Sequence, residues 1–295
     1  MSLLKESIDE VGLINPPLLK ERPHGTYQIV CGYKRLLACR EIGMGKLGCG
    51  IVDHTISERE TFLISLYDNL SHRQFNTIEK AIVVNALQNF HSVETIISTF
   101  LPLMALSAHH SVLNRIKPLI HLDKEFKDAV AEGSLDERAA VKLLSFSHDE
   151  RKILFGLLLR LRFGKNKQNE IIDTIHDIVK RDGCPVSEVL DSKELRKVLD
   201  DPNLNIPQKG ERVRNFLRKL RYPRITQAEE GFMEMKRGLN LGENIKLIHP
   251  PFFEGEKWRI EFQFSTTGEL KENIEKLGSV ANEIEFTKTV NGGGR

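Results

Sequence analysis

Between Ser57 and Arg224 the sequence runs in helical periods with no stretch of strict alternation, which confines β structure to the two ends of the chain. Ser57 and Glu60 form a capping box that opens a helix over 58-ERETFLISLYDNL-70. Further helices are predicted over about 77–90 and 93–100, over a stretch reaching Leu119, and near 123–131 and 135–145. Short helices in such close succession predict a helical domain containing a helix-turn-helix. Residues 150–224 stay helical and become more basic: 207-PQKGERVRNFLRKLRYPR-224 holds seven Lys or Arg against one Glu. On a helix, Val213, Phe216, Leu217 and Leu220 make an apolar stripe there, and Arg214, Arg218 and Arg221 a separate basic one.

The two ends read differently. At the N-terminus, Leu4, Ile8 and Val11 share a helical face that stops at Gly12. The runs 17-PLLKE-21 and 26-TYQIVC-31 then read as strands around a His-Gly turn, with Tyr27, Ile29 and Cys31 on one face. A helix over 33–43 and a short strand at 49-CGIVD-53 complete a small mixed module. At the C-terminus, Trp258, Ile260, Phe262 and Phe264 alternate with Lys257, Arg259, Glu261 and Gln263, and 244-NIKLIH-249 is the candidate partner strand. Thr266 and Glu269 open a last helix carrying Leu270, Ile274 and Leu277 on one side, and NGGGR is expected to be a disordered end. The fold class is therefore α+β and mostly helical: a small mixed α/β module over 1–75, a helical domain with the helix-turn-helix over 76–160, a basic helical connector over 161–224, and a helix-strand-strand-helix unit over 225–295. A two-stranded sheet in so small a unit needs more cover than it can supply itself, which predicts a homodimer through that unit.

Composition removes several classes. With 295 residues, 40% hydrophobic and 28% charged, the chain is that of a soluble globular protein of two or three domains. A net charge of +2 provides no global field for nucleic acid, so any DNA contact must rest on local clusters. Cys31, Cys39, Cys49 and Cys184 show no C-x-x-C spacing and fit reduced thiols rather than a disulfide framework or a zinc site. The longest apolar run, 153-ILFGLLL-159, is far short of a membrane span, and the first residues do not read as a secretory leader; the expectation is a cytoplasmic protein with no membrane partner.

Two stretches carry chemistry. In 31-CGYKRLLACREIG-43 a glycine joins strand to helix, so the backbone can turn tightly and let a ligand approach. The first N–H groups of a helix favour an anion, and Lys34 and Arg35 add two cations that oppose the helix dipole by about a few tenths of a kcal/mol unless a phosphate is bound. Basic surface residues on an ordinary strand–turn–helix give the same pattern. In 68-DNLSHRQFNTIEKA-81, Asp68 and Asn69 end one helix while Asn76 and Thr77 start the next. A carboxylate beside an amide oxygen suits magnesium, which takes one or two protein oxygens and completes its octahedron with phosphate and water. A solvated helix-to-helix connection uses the same residue types.

The order of 7-SIDEVGLINPPLL-19, 32-GYKRLLACREIG-43 and 67-YDNLSHRQFNTIEKA-81 resembles the ParB partition family, whose pattern is S-I-x-x-x-G-L-x-x-P, G-E-R-R-x-R-A-x-x-x-x-G and E-N-x-Q-R-x-x-L-N-x-x-E-x-A. The resemblance continues in 132-EGSLDERAAVKLLSF-146 and in 257-KWRIEFQFSTTGELKENIEKL-277, leaving only the basic stretch of about 160–224 uncovered. It implies a DNA-binding clamp of chromosome or plasmid partition, associated with the nucleoid or plasmid. In that family the N-terminal module binds CTP with magnesium, and two modules then close over double-stranded DNA. A helix-turn-helix reads the site, slow CTP hydrolysis reopens the clamp, and a Walker-type ATPase moves the complex. Carried over, Gly32, Lys34 and Arg35 would hold the triphosphate with His72 and Arg73; Asn69 and Asp68 would hold the metal, and Asp68 would assist hydrolysis.

This chain departs from the pattern at Tyr33 (family Glu), Lys34 (Arg), Leu37 (Arg), Asp68 (Glu) and His72 (Arg, with Arg73 one place late). Lysine is a poorer fork for phosphate than arginine, and Asp reaches one methylene less than Glu. The chain also opens at the Ser-Ile stretch, so the strand that precedes it in the family is expected to be missing through truncation. The candidate reading helix, 107-SAHHSVLNRIKPL-119, offers Ser107, His109, His110, Ser111, Asn114, Arg115 and Lys117 to DNA after a turn at 101-LPLMALS-107. Arg214, Arg218 and Arg221 are expected to add phosphate contacts, so that neutralising them lowers the salt slope of DNA binding. Three rival readings remain. The first is a dimeric ParB-derived transcription regulator or DNA-binding module with no nucleotide switch. The second is a sulfiredoxin-like enzyme, disfavoured because Tyr33 occupies the place of the required cysteine and Cys31 lies on the other side of the glycine. The third is a nuclease, for which no dense carboxylate cluster is seen.

Overall fold

A computed structural model describes residues 2–239, 241–242, 244–253 and 257–283, and the NGGGR end lies outside them. Backbone contacts divide the chain into two units, Met1–Arg151 and Lys152–Arg295.

The first unit begins with α1 (Ser2–Val11), β1 (Leu18–Arg22), β2 (Thr26–Cys31), α2 (Tyr33–Glu41) and β3 (Gly50–Val52). Ile8 of α1 packs with Ala38 and Cys39 of α2 in a small core that also takes in Leu4, Leu13, Ile42 and Leu47. The sheet order is β2-β1-β3, antiparallel between β1 and β2 and parallel between β1 and β3. The register slips between Leu18, opposite Cys31, and Leu19, opposite Ile29; Val30 is the extra residue of the resulting bulge. The bulge breaks the alternation read from the sequence, burying Val30 and Cys31 together while Tyr27 and Ile29 stay exposed.

On the covered side of the sheet, the Lys20 ammonium is buried and donates to the Ile56 carbonyl, to Glu58 Oε1 at 3.2 Å and to Thr61 Oγ1 at 3.4 Å. A buried ammonium requires such partners, and these three fix the start of α3 (Glu58–His72) to the sheet. The predicted capping box is present: Glu60 N–H donates to Ser57 Oγ at 3.2 Å, and Ser57 N–H to Glu60 Oε2 at 2.9 Å. A second box, Asn76 with Glu79, opens α4 (Thr77–Leu87).

The remaining helices of this unit are α5 (Val93–Thr95), α6 (Leu101–Leu103), α7 (His110–Ile116), α8 (Lys124–Glu132) and α9 (Glu137–Leu143). A π turn over Ile96–Phe100 joins α5 to α6, with Leu101 N–H bonded to the Ile96 carbonyl. Pro102, which has no N–H to continue the ordinary ladder, directly follows. The expected loop at 101–107 is thus shortened, because Leu101–Leu103 are helical. Phe126, Leu87, Ile96, Leu101, Ile116 and Leu119 are fully buried in the core.

Helix α10 (His148–Leu161) leads into the second unit, which continues with α11 (Lys165–Asp182), α12 (Val186–Leu190), α13 (Lys193–Asp200), α14 (Ile206–Arg221) and α15 (Pro223–Gly238). Strands β4 (Ile245–Ile248) and β5 (Arg259–Phe262) pair antiparallel, with Ile245 opposite Phe262 and Leu247 opposite Ile260; α16 (Thr267–Glu283) follows. This is the expected helix-strand-strand-helix order. Its core is Leu241, Ile245 and Leu247, covered by Phe232, Trp258, Phe262 and Leu277. The chain is α+β and mostly helical, as its periodicity indicated. Among the described residues no helix is long and apolar enough to cross a membrane.

Candidate functional site

The strand–glycine–helix turn and the end of α3 line one cleft of about 560 Å³, although they lie more than thirty residues apart in sequence. Gly32, Lys34, Arg35, Asp68, Asn69, His72 and Arg73 all border it. Gly32 is held at φ 88°, in the left-handed region, and a Cβ there would sit 3.0 Å from Pro17 Cα and 3.1 Å from Arg35 Nε. Only glycine fits both conditions. The Gly32 carbonyl accepts from Arg35 N–H at 2.9 Å and Leu36 N–H at 3.0 Å, while no side chain caps the start of α2. Uncapped N–H groups at a helix start attract an anion.

The two cations of this turn are differently held. Arg35 donates to the Asn15 carbonyl at 2.7 Å and forms no ion pair among the described residues, and Lys34 has no partner among them. Arg73 is committed: its guanidinium reaches both Glu79 oxygens at 2.7 and 2.8 Å and lies 4.8 Å from the centre of the Phe75 ring. It therefore braces the α3–α4 connection and brings little free charge to the cleft. His72 Nδ1 sits 2.6 Å from the Asp68 carbonyl and 3.9 Å from its carboxylate.

Asn69 is oriented by its own helix. Its amide donates to the Ser65 carbonyl at 2.8 Å, which leaves Oδ1 as the outward acceptor, touched only by Arg73 Nε at 3.4 Å. Asp68 is the one carboxylate lining the cleft. An amide oxygen and a carboxylate on adjacent residues are too few for a protein-only metal cage, and among the described residues no group of three His, Cys, Asp or Glu side chains is placed to hold a metal ion. They fit an ion that is completed by phosphate and water.

Cys31 also borders this cleft, a position that motif reading alone did not assign. Burial, reinforced by the negative charge of the nearby Asp68 carboxylate, pushes the thiol up from 9.0 to about 11. A thiol held protonated is a weaker nucleophile at neutral pH, which agrees with Tyr33 in the cysteine's place in disfavouring the sulfiredoxin-like reading. Asn15, Val30 and Ser65 also line the cleft without having been singled out by spacing. Asn15 lay within the quoted 7–19 motif, but nothing in its type announced a carbonyl anchor for Arg35.

The candidate DNA-facing residues divide. Ser107, His109, His110, Ser111, Asn114 and Lys117 are exposed on and around α7. Arg115 differs from them: it is partly buried, and its Nε lies 2.6 Å from Glu137 at the start of α9. The basic stripe of α14 is engaged in ion pairs within its own unit. Arg214 grips Glu170 at 2.9 and 3.0 Å and Glu211 at 2.7 Å, Arg218 meets Glu229 at 2.7 Å, and Arg221 pairs with Asp177 while lying 5.0 Å from the Tyr222 ring centre. The signal was legible in retrospect: Glu170 and Asp177 are seven residues apart, as are Arg214 and Arg221.

Residues 1–70, the stretch that carries Gly32, Lys34, Arg35, Asp68 and Asn69, match the family model described as the ParB N-terminal domain. The chain is also similar to the nucleoid occlusion proteins of Bacillus mycoides, 26% identical over 142 residues, and Bacillus cereus, 25% identical over the same length. Each of these alignments covers 48% of this chain and 47% of the relative, so the chain spans about half the length of the curated relatives it matches. Among solved structures it is similar to the C-terminally truncated ParB of Caulobacter crescentus complexed to the centromeric parS site, with TM-score 0.36 and 16% identity over 58% of this chain and 87% of that one. It is also similar to the same protein complexed with CTP-gamma-S, with TM-score 0.22 and 21% identity over 53% and 83%. Scores this low place no residue. The ParB resemblance rests on the sequence matches.

Proposed function

We propose that this chain is a ParB-like DNA-binding protein of partition or nucleoid occlusion, whose N-terminal cleft takes CTP with magnesium and uses it to switch a clamp on double-stranded DNA. The observation that supports it is the convergence of Gly32, Lys34 and Arg35 with Asp68 and Asn69 on one cleft, with Lys34 and Arg35 in no ion pair among the described residues. The uncapped start of α2 and these two cations would hold the phosphates. Asn69 Oδ1 and Asp68 would hold the magnesium, which neutralises phosphate charge when bound. Asp68, the lone carboxylate of the cleft, is the candidate to accept a proton from water in slow hydrolysis. The exposed face of α7, with His109, His110, Ser111, Asn114 and Lys117, is the candidate for reading DNA.

Two copies are joined in this reading through the C-terminal unit. Ile260 is 41% exposed and Phe264 51% exposed, apolar surface that a second copy would cover. A Walker-type ATPase belongs to the partition form of the proposal.

A second reading, a DNA-binding dimer without a nucleotide switch, is favoured by one observation: the pairing of Arg73 with Glu79 withdraws a cation from the cleft. Retention of a closed circular duplex by the full chain, measured with and without CTP and magnesium, separates the two. A CTP-dependent change in retained DNA supports the clamp, and identical retention in both conditions supports the second reading.

A further inference from the structure

The second unit contains a cleft of about 780 Å³ between the α10–α11 connection and the start of α14. Leu161, Phe163 and Ile206 form its apolar walls, and Arg162, Lys165 and Lys167 line it as well. Phe163 fits against Gly210, where a Cβ would lie 2.9 Å from its ring, so α14 approaches closely and keeps the walls in place.

The lining of this cleft holds three cations and no carboxylate. Several other cations of the unit are taken up: Arg160 by Asp200 at 2.8 Å, Arg181 by Asp182, Arg196 by Asp191, Lys219 by Glu230, and the three α14 arginines by the carboxylates already named. Arg162, Lys165 and Lys167 are exposed and have no ion-pair partner among the described residues. No acidic residue occupies the first turn of the 18-residue helix α11, and its Gly164 cap contributes no side-chain hydrogen bond, so the helix field adds to the positive sign of the three side chains.

Exposed cations in aqueous salt hold a small isolated anion weakly, because its field is screened within about 10 Å. A polyanion differs: each phosphate it places against a cation releases condensed counterions, and several contacts act together. We infer that the Arg162–Lys167 segment is a sequence-independent docking site for the phosphate backbone of duplex DNA, with Arg162, Lys165 and Lys167 as the contacts and the apolar walls facing sugar edges. It rests on the DNA-binding reading above and moves its phosphate contacts from the α14 stripe to this cleft.

The test is the salt dependence of full-chain binding to a duplex of random sequence. The expected result is that Arg162→Ala/Lys165→Ala/Lys167→Ala reduces the magnitude of the slope of log K against log salt by roughly 2–3, from about 0.9 per lost phosphate contact. Lys165→Gln/Lys167→Gln, which removes charge and leaves Arg162 and the walls in place, should reduce it by roughly 2. Arg214→Ala/Arg218→Ala/Arg221→Ala should leave the slope unchanged. An unchanged slope in the Gln variant, with wild-type binding intact, overturns the site alone. A reduced slope only in the α14 variant overturns it too. A wild-type chain that binds no duplex overturns the DNA-binding reading and this site with it.

Discussion

Two basic stretches that look alike in sequence reach opposite states in the fold. At the N-terminal cleft Lys34 lacks a partner among the described residues and Arg35 touches only a backbone oxygen, whereas Arg214, Arg218 and Arg221 of α14 each close an ion pair. The difference lies in what faces them. Helix α14 packs against α11, which presents Glu170 and Asp177 at the same seven-residue interval as Arg214 and Arg221, and against α15, which presents Glu229 and Glu230. Opposite Lys34 and Arg35 the cleft offers a single carboxylate, Asp68. A count of charges therefore says where cations are. Their availability to a ligand depends on whether the neighbouring element repeats acids at a matching period.

The comparison can be broken most forcefully at Gly32. Alanine at φ 88° and 3.0 Å from Pro17 would cost roughly 1–3 kcal/mol of local strain and shift the start of α2. Nucleotide affinity of Gly32→Ala should fall at least about tenfold, which is about 1.4 kcal/mol, in equilibrium binding, while circular dichroism retains the helical signal. Lys34→Ala removes a free cation and should weaken nucleotide binding by roughly tenfold without lowering the melting temperature, since it breaks no contact; a loss of stability in place of affinity would mean that the residue is structural.

The α14 arginines should behave in the reverse way. Arg214→Ala gives up an exposed pair with Glu170 and should lose roughly 1 kcal/mol or less of stability, read as a small drop in melting temperature, with nucleotide binding untouched. Asp68→Asn sharpens the assignment further: magnesium should no longer strengthen nucleotide binding, and any CTP turnover should fall to background. The smallest effect belongs to Cys31. Its folded form keeps its proton up to about 11, while the unfolded thiol loses it near 9.0. Deprotonation then favours the unfolded chain, and stability falls as pH rises from 9 towards 11. Below pH 9 the contribution is flat. Denaturant midpoints at pH 8 and pH 10 should differ less in Cys31→Ala than in wild type.

Much of the fold was legible because its signals are local. The Ser57–Glu60 and Asn76–Glu79 boxes, the glycine stops at Gly12 and Gly43, and the alternation around Ile260 each depend on neighbours a few residues away. The strand–glycine–helix turn was legible for the same reason, and the motif order linked it to Asp68 and Asn69. What sequence concealed was long-range. The bulge at Val30 depends on pairing with β1, the Arg115–Glu137 contact joins separate helices, and the Arg73–Glu79 pair depends on how α3 meets α4. Ion pairing across helices leaves no trace in the spacing of one helix alone, so the α14 stripe read as free charge.

The most direct test of the central claim is calorimetric titration of the full chain with CTP, UTP, ATP and GTP in magnesium, beside Arg35→Ala. The arrangement predicts selective CTP binding in the wild type, weakened at least about tenfold, or about 1.4 kcal/mol, in the variant. A folded wild-type chain that binds no nucleotide, or an Arg35→Ala variant that binds CTP as tightly as wild type, would contradict it.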